Sequence, residues 1–120
     1  MRTRDLLSMA RKDGKAAGLG AASWCVDGNT TTETCAAILK GIEDGDPAIL
    51  DQFNTPNLSG EYADDPTPQT LADDYGIDEA RDPDGFLLDE VCTEWEEAAS
   101  SAFWTELERT VRYLSRRIKD

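Results

Sequence analysis

The sequence predicts an all-α fold: a small helical bundle with a long C-terminal helix, a long N-terminal helix and two or three short helices between them. Apolar residues recur every three or four positions over about 83–118 and about 4–24, which is the period of a helix with one buried face. Capping side chains and prolines mark the starts of shorter segments. At 120 residues the chain is expected to form a single domain, 1–120.

The N-terminal helix is expected to begin after Thr3, its predicted N-cap, and to end near Trp24, which is placed on its apolar side. Small residues occupy every fourth position in a row formed by Ala10, Gly14, Gly18 and Ala22. Glycine inside a helix costs about 1 kcal/mol relative to alanine. Two glycines in one row therefore indicate that another helix crosses there at close range. The alternative is that the helix breaks near Gly14 or over 18–20.

Short helices are predicted in the middle of the chain by their capping residues. Thr30 and Glu33 have the spacing of a capping box and start a helix that should stop near 41–45. Two further helices each start with a capping side chain followed by proline, at Asp46-Pro47 and Thr67-Pro68. Gly76 is expected to end the last of them. The 54–66 segment has turn chemistry and predicts a loop.

The long C-terminal helix is expected to open at Asp82, with Pro83 in the first helical position. Acids are concentrated at its start and bases at its end, which suits the helix dipole. The mean step of its apolar seam is about 3.75 residues, so the seam turns slowly around a helix of 3.6 residues per turn. The two halves should contact different neighbours. The neighbour of the second half is either this chain's own core or a second subunit.

The net charge of −13 is unevenly distributed. Residues 27–97 carry a net charge of −18, whereas 1–26 carry +3 and 98–120 carry +2. A surface this acidic repels nucleic acid and anionic membranes, and it attracts basic proteins. The alternatives are that the acidity serves solubility or reflects a salt-adapted or GC-rich source.

The acidic middle of the chain supplies the predicted partner-binding residues. DNA carries one charge per ~1.7 Å of duplex, so the net charge of −18 corresponds to roughly 30 Å of duplex. We therefore expect helix-borne carboxylates to present a phosphate-like pattern to a basic nucleic-acid-binding protein of the host, unless they form a plain solvated face. Trp104 lies off the seam and is the aromatic candidate for an interface, unless the 54–66 loop covers it. The predicted carboxylates are Asp73, Asp74, Asp78, Glu79, Asp89, Glu90, Glu94 and Glu97.

A basic stripe occupies one side of the C-terminal turns and consists of Arg109, Arg112, Arg116 and Lys119. It predicts either a docking surface for the acidic part of a second copy, which would give a homodimer, or a plain solvent-exposed face. Arg109 and Arg112 are also spaced for local ion pairs with Glu106 and Glu108. Direct binding of nucleic acid is not expected, because the surrounding protein is so negative.

Residues for catalysis and cofactor binding are hard to find. The chain has no histidine, and Cys25, Cys35 and Cys92 lack C-x-x-C spacing, so a zinc site of ordinary composition is not expected and the thiols should be reduced. There is no phosphate-binding glycine loop and no nucleophile motif. The sequence predicts a protein that is no enzyme and binds no cofactor. Without a signal peptide or membrane span, it is expected in the cytoplasm of the host cell.

Three stretches resemble short open reading frames from phages and mobile elements of GC-rich bacteria, namely 21–24, 41–47 and 58–68. None is a motif with assigned chemistry, so this resemblance implies no functional residue. The size and acidity of the chain are similar to those of phage-encoded anti-restriction and anti-CRISPR proteins, some of which mimic DNA. By this analogy of class, the chain is expected to be a non-enzymatic inhibitor of a host defence protein. The alternative is a helical interaction or assembly module that uses Trp104 and the second half of the seam.

Overall fold

The computed structural model describes residues 2–58 and 66–116. These ranges contain helices and no strand, so the predicted all-α fold is confirmed. The helices are α1 (Thr3–Ser23), α2 (Thr32–Asp44), α3 (Pro47–Leu50), α4 (Pro68–Tyr75) and α5 (Phe86–Arg116). The body is elongated, 59 × 26 × 24 Å. The 31 residues of α5 span about 46 Å at 1.5 Å per residue, so this helix sets the long dimension.

The row of small residues on α1 packs directly on the backbone of α5. All four members, Ala10, Gly14, Gly18 and Ala22, are buried. A Cβ added to Gly14 would collide with the carbonyl oxygen of Trp95, and one added to Gly18 with that of Ala99. Gly18 follows Gly14 by four residues, and Ala99 follows Trp95 by four residues. The two helices therefore run parallel. The predicted close approach is confirmed, and α1 continues unbroken to Ser23.

The buried face of α5 turns around the helix as the sequence predicts. Its buried residues follow one another at four-residue steps from Val91 to Val111, and each step exceeds a helical turn by about 40°. The first half packs against α1 and α4, with Leu6 and Leu71 in the same cluster. The second half packs against the end of α1 and against α2, which contributes Ile38. Both neighbours belong to this chain, so the second half of the seam does not need a second subunit to cover it.

Two predicted helix starts are shifted by one residue. Thr31, and not Thr30, is the N-cap of α2, and its hydroxyl oxygen accepts the backbone N–H of Thr34 at 3.1 Å. The Thr30 hydroxyl instead accepts the N–H of Asp27, which closes the preceding turn. Thr3 is likewise the first residue of α1 and not its N-cap.

The start of α5 is capped by the Asp82 side chain, which lies four residues before the first helical residue, Phe86. The two carboxylate oxygens of Asp82 accept the N–H groups of Leu87 and Leu88, each at 3.0 Å. Gly85, with φ +78°, turns the chain between the cap and the helix. Asp82 therefore satisfies donors at the helix start as expected, but Pro83 precedes the helix, which begins at Phe86.

The remaining caps match the prediction. Asp46 accepts the N–H of Ala48 at 3.0 Å and starts α3. Thr67 accepts the N–H of Thr70 at 3.2 Å and starts α4. Gly76 ends α4 in the left-handed conformation, with φ +67°. α4 is thereby set as a short, well-bounded helix on the first half of α5.

Replacing Gly14 with alanine is expected to lower the free energy of unfolding by about 1–3 kcal/mol, because the added methyl group must displace the Trp95 carbonyl. Gly20 is the matched control, since a Cβ there meets nothing within 4 Å. Gly20→Ala is expected to raise the free energy of unfolding by about 0.5–1 kcal/mol through helix propensity. Urea unfolding followed by circular dichroism measures both. Equal effects of the two substitutions would contradict the close packing of α1 on α5.

Candidate functional site

The predicted binding carboxylates lie on α4, on the first half of α5 and on the segment that joins them. Because α4 packs on this half of α5, the acids are gathered at one end of the elongated body. Residues 66–97 contain one base, Arg81, and eleven acids. The acids are Asp73, Asp74, Asp78, Glu79, Asp82, Asp84, Asp89, Glu90, Glu94, Glu96 and Glu97.

Two neighbouring clefts join the acids of α4 to those of α5. The first cleft is lined by residues that include Asp73, Asp78, Glu79 and Leu88. The second is lined by residues that include Leu88, Asp89, Glu96 and Glu97. Leu88 borders both clefts, so the two groups of carboxylates lie on neighbouring parts of the molecule. We call the two groups together the acidic surface. Asp74 is exposed on the same helix as Asp73.

On α5 the exposed carboxylates form two rows. Glu90 and Glu97 make one row, and Asp89 and Glu96 make the other. The two members of each row are seven positions apart in sequence, which is about 10.5 Å along the helix axis. This is the axial length that about three phosphates occupy on one strand of DNA. Glu96 was absent from the predicted set, although its seven-residue spacing from Asp89 is the signal that would have identified it.

Glu94 is turned away from these rows toward α1. Its Oε2 accepts a hydrogen bond from Nε of Arg11 at 2.7 Å, an ion pair between α5 and α1. This hydrogen bond, together with the negative charge of Glu94, raises the pKa of the Arg11 guanidinium above its ordinary value. Of the carboxylates predicted for α5, Asp89, Glu90 and Glu97 form no ion pair within the part of the chain that the structure describes.

Two of the four residues of the basic stripe form ion pairs within the chain. The predicted local ion pairs are confirmed: Arg109 contacts Glu106 at 2.5 Å and Arg112 contacts Glu108 at 2.8 Å. The hydrogen bond from Arg109 lowers the pKa of the Glu106 carboxyl. Arg112 also reaches Glu43 of α2 at 3.5 Å.

The other two residues of the basic stripe are Arg116 and Lys119. Arg116 is exposed in the last turn of α5, and Lys119 lies outside the described residues. The stripe therefore offers the acidic part of a second copy fewer unpaired cations than its sequence suggests.

Trp104 is half-buried, and aromatic side chains of this same chain cover part of its ring. Its ring packs edge-on against Phe103 and Phe53, with centroids 5.1 Å and 6.0 Å apart. Phe53 directly precedes the 54–66 segment that the sequence proposed as the cover, and residues 59–65 of that segment lie outside the described ranges. Trp104 therefore presents only part of its ring for contact with a partner.

Among the described residues, Trp24 is the most exposed large apolar side chain. It is 90% exposed, although the sequence places it on the apolar side of the first helix. The buried row of α1 ends at Ala22, and two further residues turn a helical chain by about 200°, which directs Trp24 away from α5. Phe86 and Tyr113 are also well exposed, at 74% and 67%.

Comparisons of the chain with protein-family models, with curated proteins and with solved structures found no match. No helix within the described ranges combines the length and apolarity needed to cross a bilayer. Across those same ranges, no group of three or more cysteine, aspartate or glutamate side chains is arranged to hold a metal ion. An assignment of function therefore depends on the chemistry of the surface.

The crowding of unpaired carboxylates predicts that salt stabilises the fold. Raising NaCl from ~20 mM to ~500 mM shortens the Debye length from about 20 Å to about 4 Å and screens this repulsion. We expect the free energy of unfolding to rise by about 1 kcal/mol, measured by urea unfolding at each salt concentration. The neutralised variant Asp89→Asn/Glu90→Gln/Glu97→Gln should gain less from salt. A fall in stability with salt would instead mean that attractive ion pairs dominate.

Proposed function

We propose that the chain is a non-enzymatic acidic inhibitor of the anti-restriction or anti-CRISPR type, encoded by a phage or mobile element. It would occupy the nucleic-acid groove of a host defence protein. The observation that carries this proposal is the pair of exposed carboxylate rows on α5, each of which covers about 10.5 Å, the axial length of about three phosphates on a DNA strand. The carboxylates of α4 and of the segment that follows it line a neighbouring cleft, so the negative charge is not confined to one helix.

Rigidity supports this role as much as charge does. The acids of α5 stand on a helix whose opposite face is fully buried at Val91 and Ala99, and whose first turn is held by the Asp82 carboxylate. Carboxylates fixed in place lose little conformational freedom on binding. A flexible acidic tail of equal charge would have to be ordered first. The folded surface should therefore bind a basic groove more tightly than an unstructured polyanion does.

The energy for binding would come largely from the partner. A DNA-binding groove holds lysine and arginine residues close together, and their mutual repulsion is relieved when carboxylates enter. Contacts of this kind are strongly dependent on salt, as they are for DNA itself. The acids also speed the encounter, because a concentrated field steers an oppositely charged partner into place.

The acidic surface is tested by removing charge without changing shape. The variant Asp89→Asn/Glu90→Gln/Glu97→Gln is expected to weaken inhibition by roughly tenfold or more, since each charge-assisted contact contributes about 0.5–1 kcal/mol. A matched control removes three exposed charges from the α2–α3 region by the substitutions Glu33→Gln, Asp44→Asn and Asp51→Asn. The control should inhibit like the natural sequence.

The assay is DNA cleavage by a panel of purified restriction endonucleases and CRISPR nucleases, with polyglutamate as a charge control. Inhibition that polyglutamate reproduces at equal charge, or that the α5 variant retains in full, would contradict the proposal. Circular dichroism of each variant confirms that the fold is kept.

A second candidate function is a helical interaction or assembly module, and the exposure of Trp24 favours it. Exposed tryptophans often supply the central contact of an interface. This role would fall to Trp24 because Trp104 is covered by Phe53, and because Leu107 and Val111 in the second half of the seam are fully buried.

This second candidate predicts capture of a partner that survives a change from ~50 mM to ~500 mM salt, because apolar contacts are not screened. Trp24→Ala should abolish that capture, whereas Tyr113→Ala, which also removes an exposed aromatic ring, should leave it intact. Pull-down from a bacterial lysate at both salt concentrations measures the difference. Loss of all captured protein at high salt would favour the inhibitor instead.

A further inference from the structure

A groove with a volume of about 470 Å³ runs along α1 and α5, and only these two helices line it. Its floor is apolar and includes Leu19, Ala98 and Ala102. Leu19, in the last turns of α1, is 38% exposed. The groove therefore offers an apolar strip that no other part of the described chain covers.

The two walls of the groove carry opposite charges. Arg11 and Lys15 stand on the α1 wall, and Glu94 and Glu97 stand on the α5 wall. Arg11 and Glu94 are already paired with each other. Lys15 and Glu97 are exposed and form no ion pair within the described residues. The groove is thus locally neutral in a chain whose net charge is −13.

This arrangement of charge is complementary to itself. Gly14 faces Trp95 and Gly18 faces Ala99, so Lys15 lies at nearly the same height along the helices as Glu97. A two-fold axis along the groove would place α1 of one copy over α5 of the other, with all four helices running in the same direction. Each lysine would then face the partner's glutamate, and the two apolar strips would meet between them.

We propose that this groove is the contact surface of a two-fold symmetric dimer of the chain. A basic partner would be repelled by Arg11 and Lys15, and a nucleic acid would be repelled by Glu94 and Glu97. A second copy presents both signs in the required order, as the self-complementary surface of a two-fold interface must. The two proposals share Glu97, which lines this groove and also belongs to the acidic surface. Lys15 belongs to the groove alone, so the dimer is tested separately from the inhibitor function at that residue.

The area of the groove face indicates a weak dimer, which dissociates when the protein is diluted. The 21 residues of α1 span about 31 Å, and two helices side by side are about 20 Å wide. The resulting face of roughly 600 Å² per copy is smaller than the ~800 Å² per partner of a standard interface. Repulsion between two acidic chains opposes association further, so added salt should strengthen this dimer.

The dimer is tested by exchanging the facing charges in the full chain. Lys15→Glu and Glu97→Lys should each weaken dimerisation by roughly tenfold, because the symmetry doubles the effect of every substitution. The double variant Lys15→Glu/Glu97→Lys should restore it. Sedimentation equilibrium over a wide range of protein concentration measures each dissociation constant, and circular dichroism confirms folding.

Matched controls separate the contact from the overall charge. Lys40→Glu and Glu96→Lys make the same changes in net charge at exposed positions that do not line the groove, and they should leave dimerisation within roughly twofold of the natural sequence. Repulsion between whole molecules predicts that Lys15→Glu weakens the dimer and that Glu97→Lys strengthens it. The facing contact predicts that both weaken it.

Three results would overturn the dimer. The first is a chain that remains a monomer at every concentration. The second is opposite effects of the two single substitutions, and the third is a double variant that fails to recover. A Lys15→Glu variant that dimerises like the natural sequence would leave the inhibitor function intact, since Lys15 is not one of the carboxylates whose neutralisation is assayed by DNA cleavage. Loss of inhibition in that assay would in turn leave the Lys15 result unchanged.

Discussion

The structure depends on the direct contact between the backbones of α1 and α5. Two glycines on α1 face the carbonyl groups of Trp95 and Ala99, with no side chain between them. Helices usually pack with their axes 8–10 Å apart because side chains separate them. Each glycine costs the helix about 1 kcal/mol relative to alanine. The close packing of the two long helices offsets this cost. This approach also brings Arg11 within reach of Glu94 and shapes the apolar groove beside them.

The gradual turning of the buried face of α5 separates the molecule into two ends with different electrostatics. At the first end the helix packs on α1 and α4, and its outward carboxylates have few basic neighbours. At the second end it packs on α2, and the acids Glu106, Glu108 and Glu43 are paired with arginines. The negative charge that is free to attract a partner is therefore densest at the first end, although Glu33, Asp44 and Asp51 of the α2–α3 region are also exposed.

Features that depend on neighbouring residues could be predicted from the sequence. The caps at Asp46 and Thr67, like the row of small residues on α1, involve spacings of two to four positions, which a helix converts directly into contacts. The ion pair between Arg11 and Glu94 joins positions 83 residues apart, and no local pattern encodes it.

The exposure of Trp24 also escaped prediction, because it depends on where α1 ends. The acidic surface was predictable as a concentration of charge. Its division into two rows required the location of the buried face of α5, since that face decides which carboxylates point outward.

The parallel orientation of α1 and α5 has a consequence for biosynthesis. Parallel neighbours cannot be joined by a tight turn, and here the 24–85 segment connects them, carrying the chain from one end of α5 back to the other. The glycine row therefore leaves the ribosome long before the helix that it fits has been translated. With three glycines inside it, α1 is a weak helix in isolation. The core is expected to close only once α5 has been translated, so a nascent chain that stalls before residue 95 exposes Leu6 and Ala10 to the cell's proteases and chaperones.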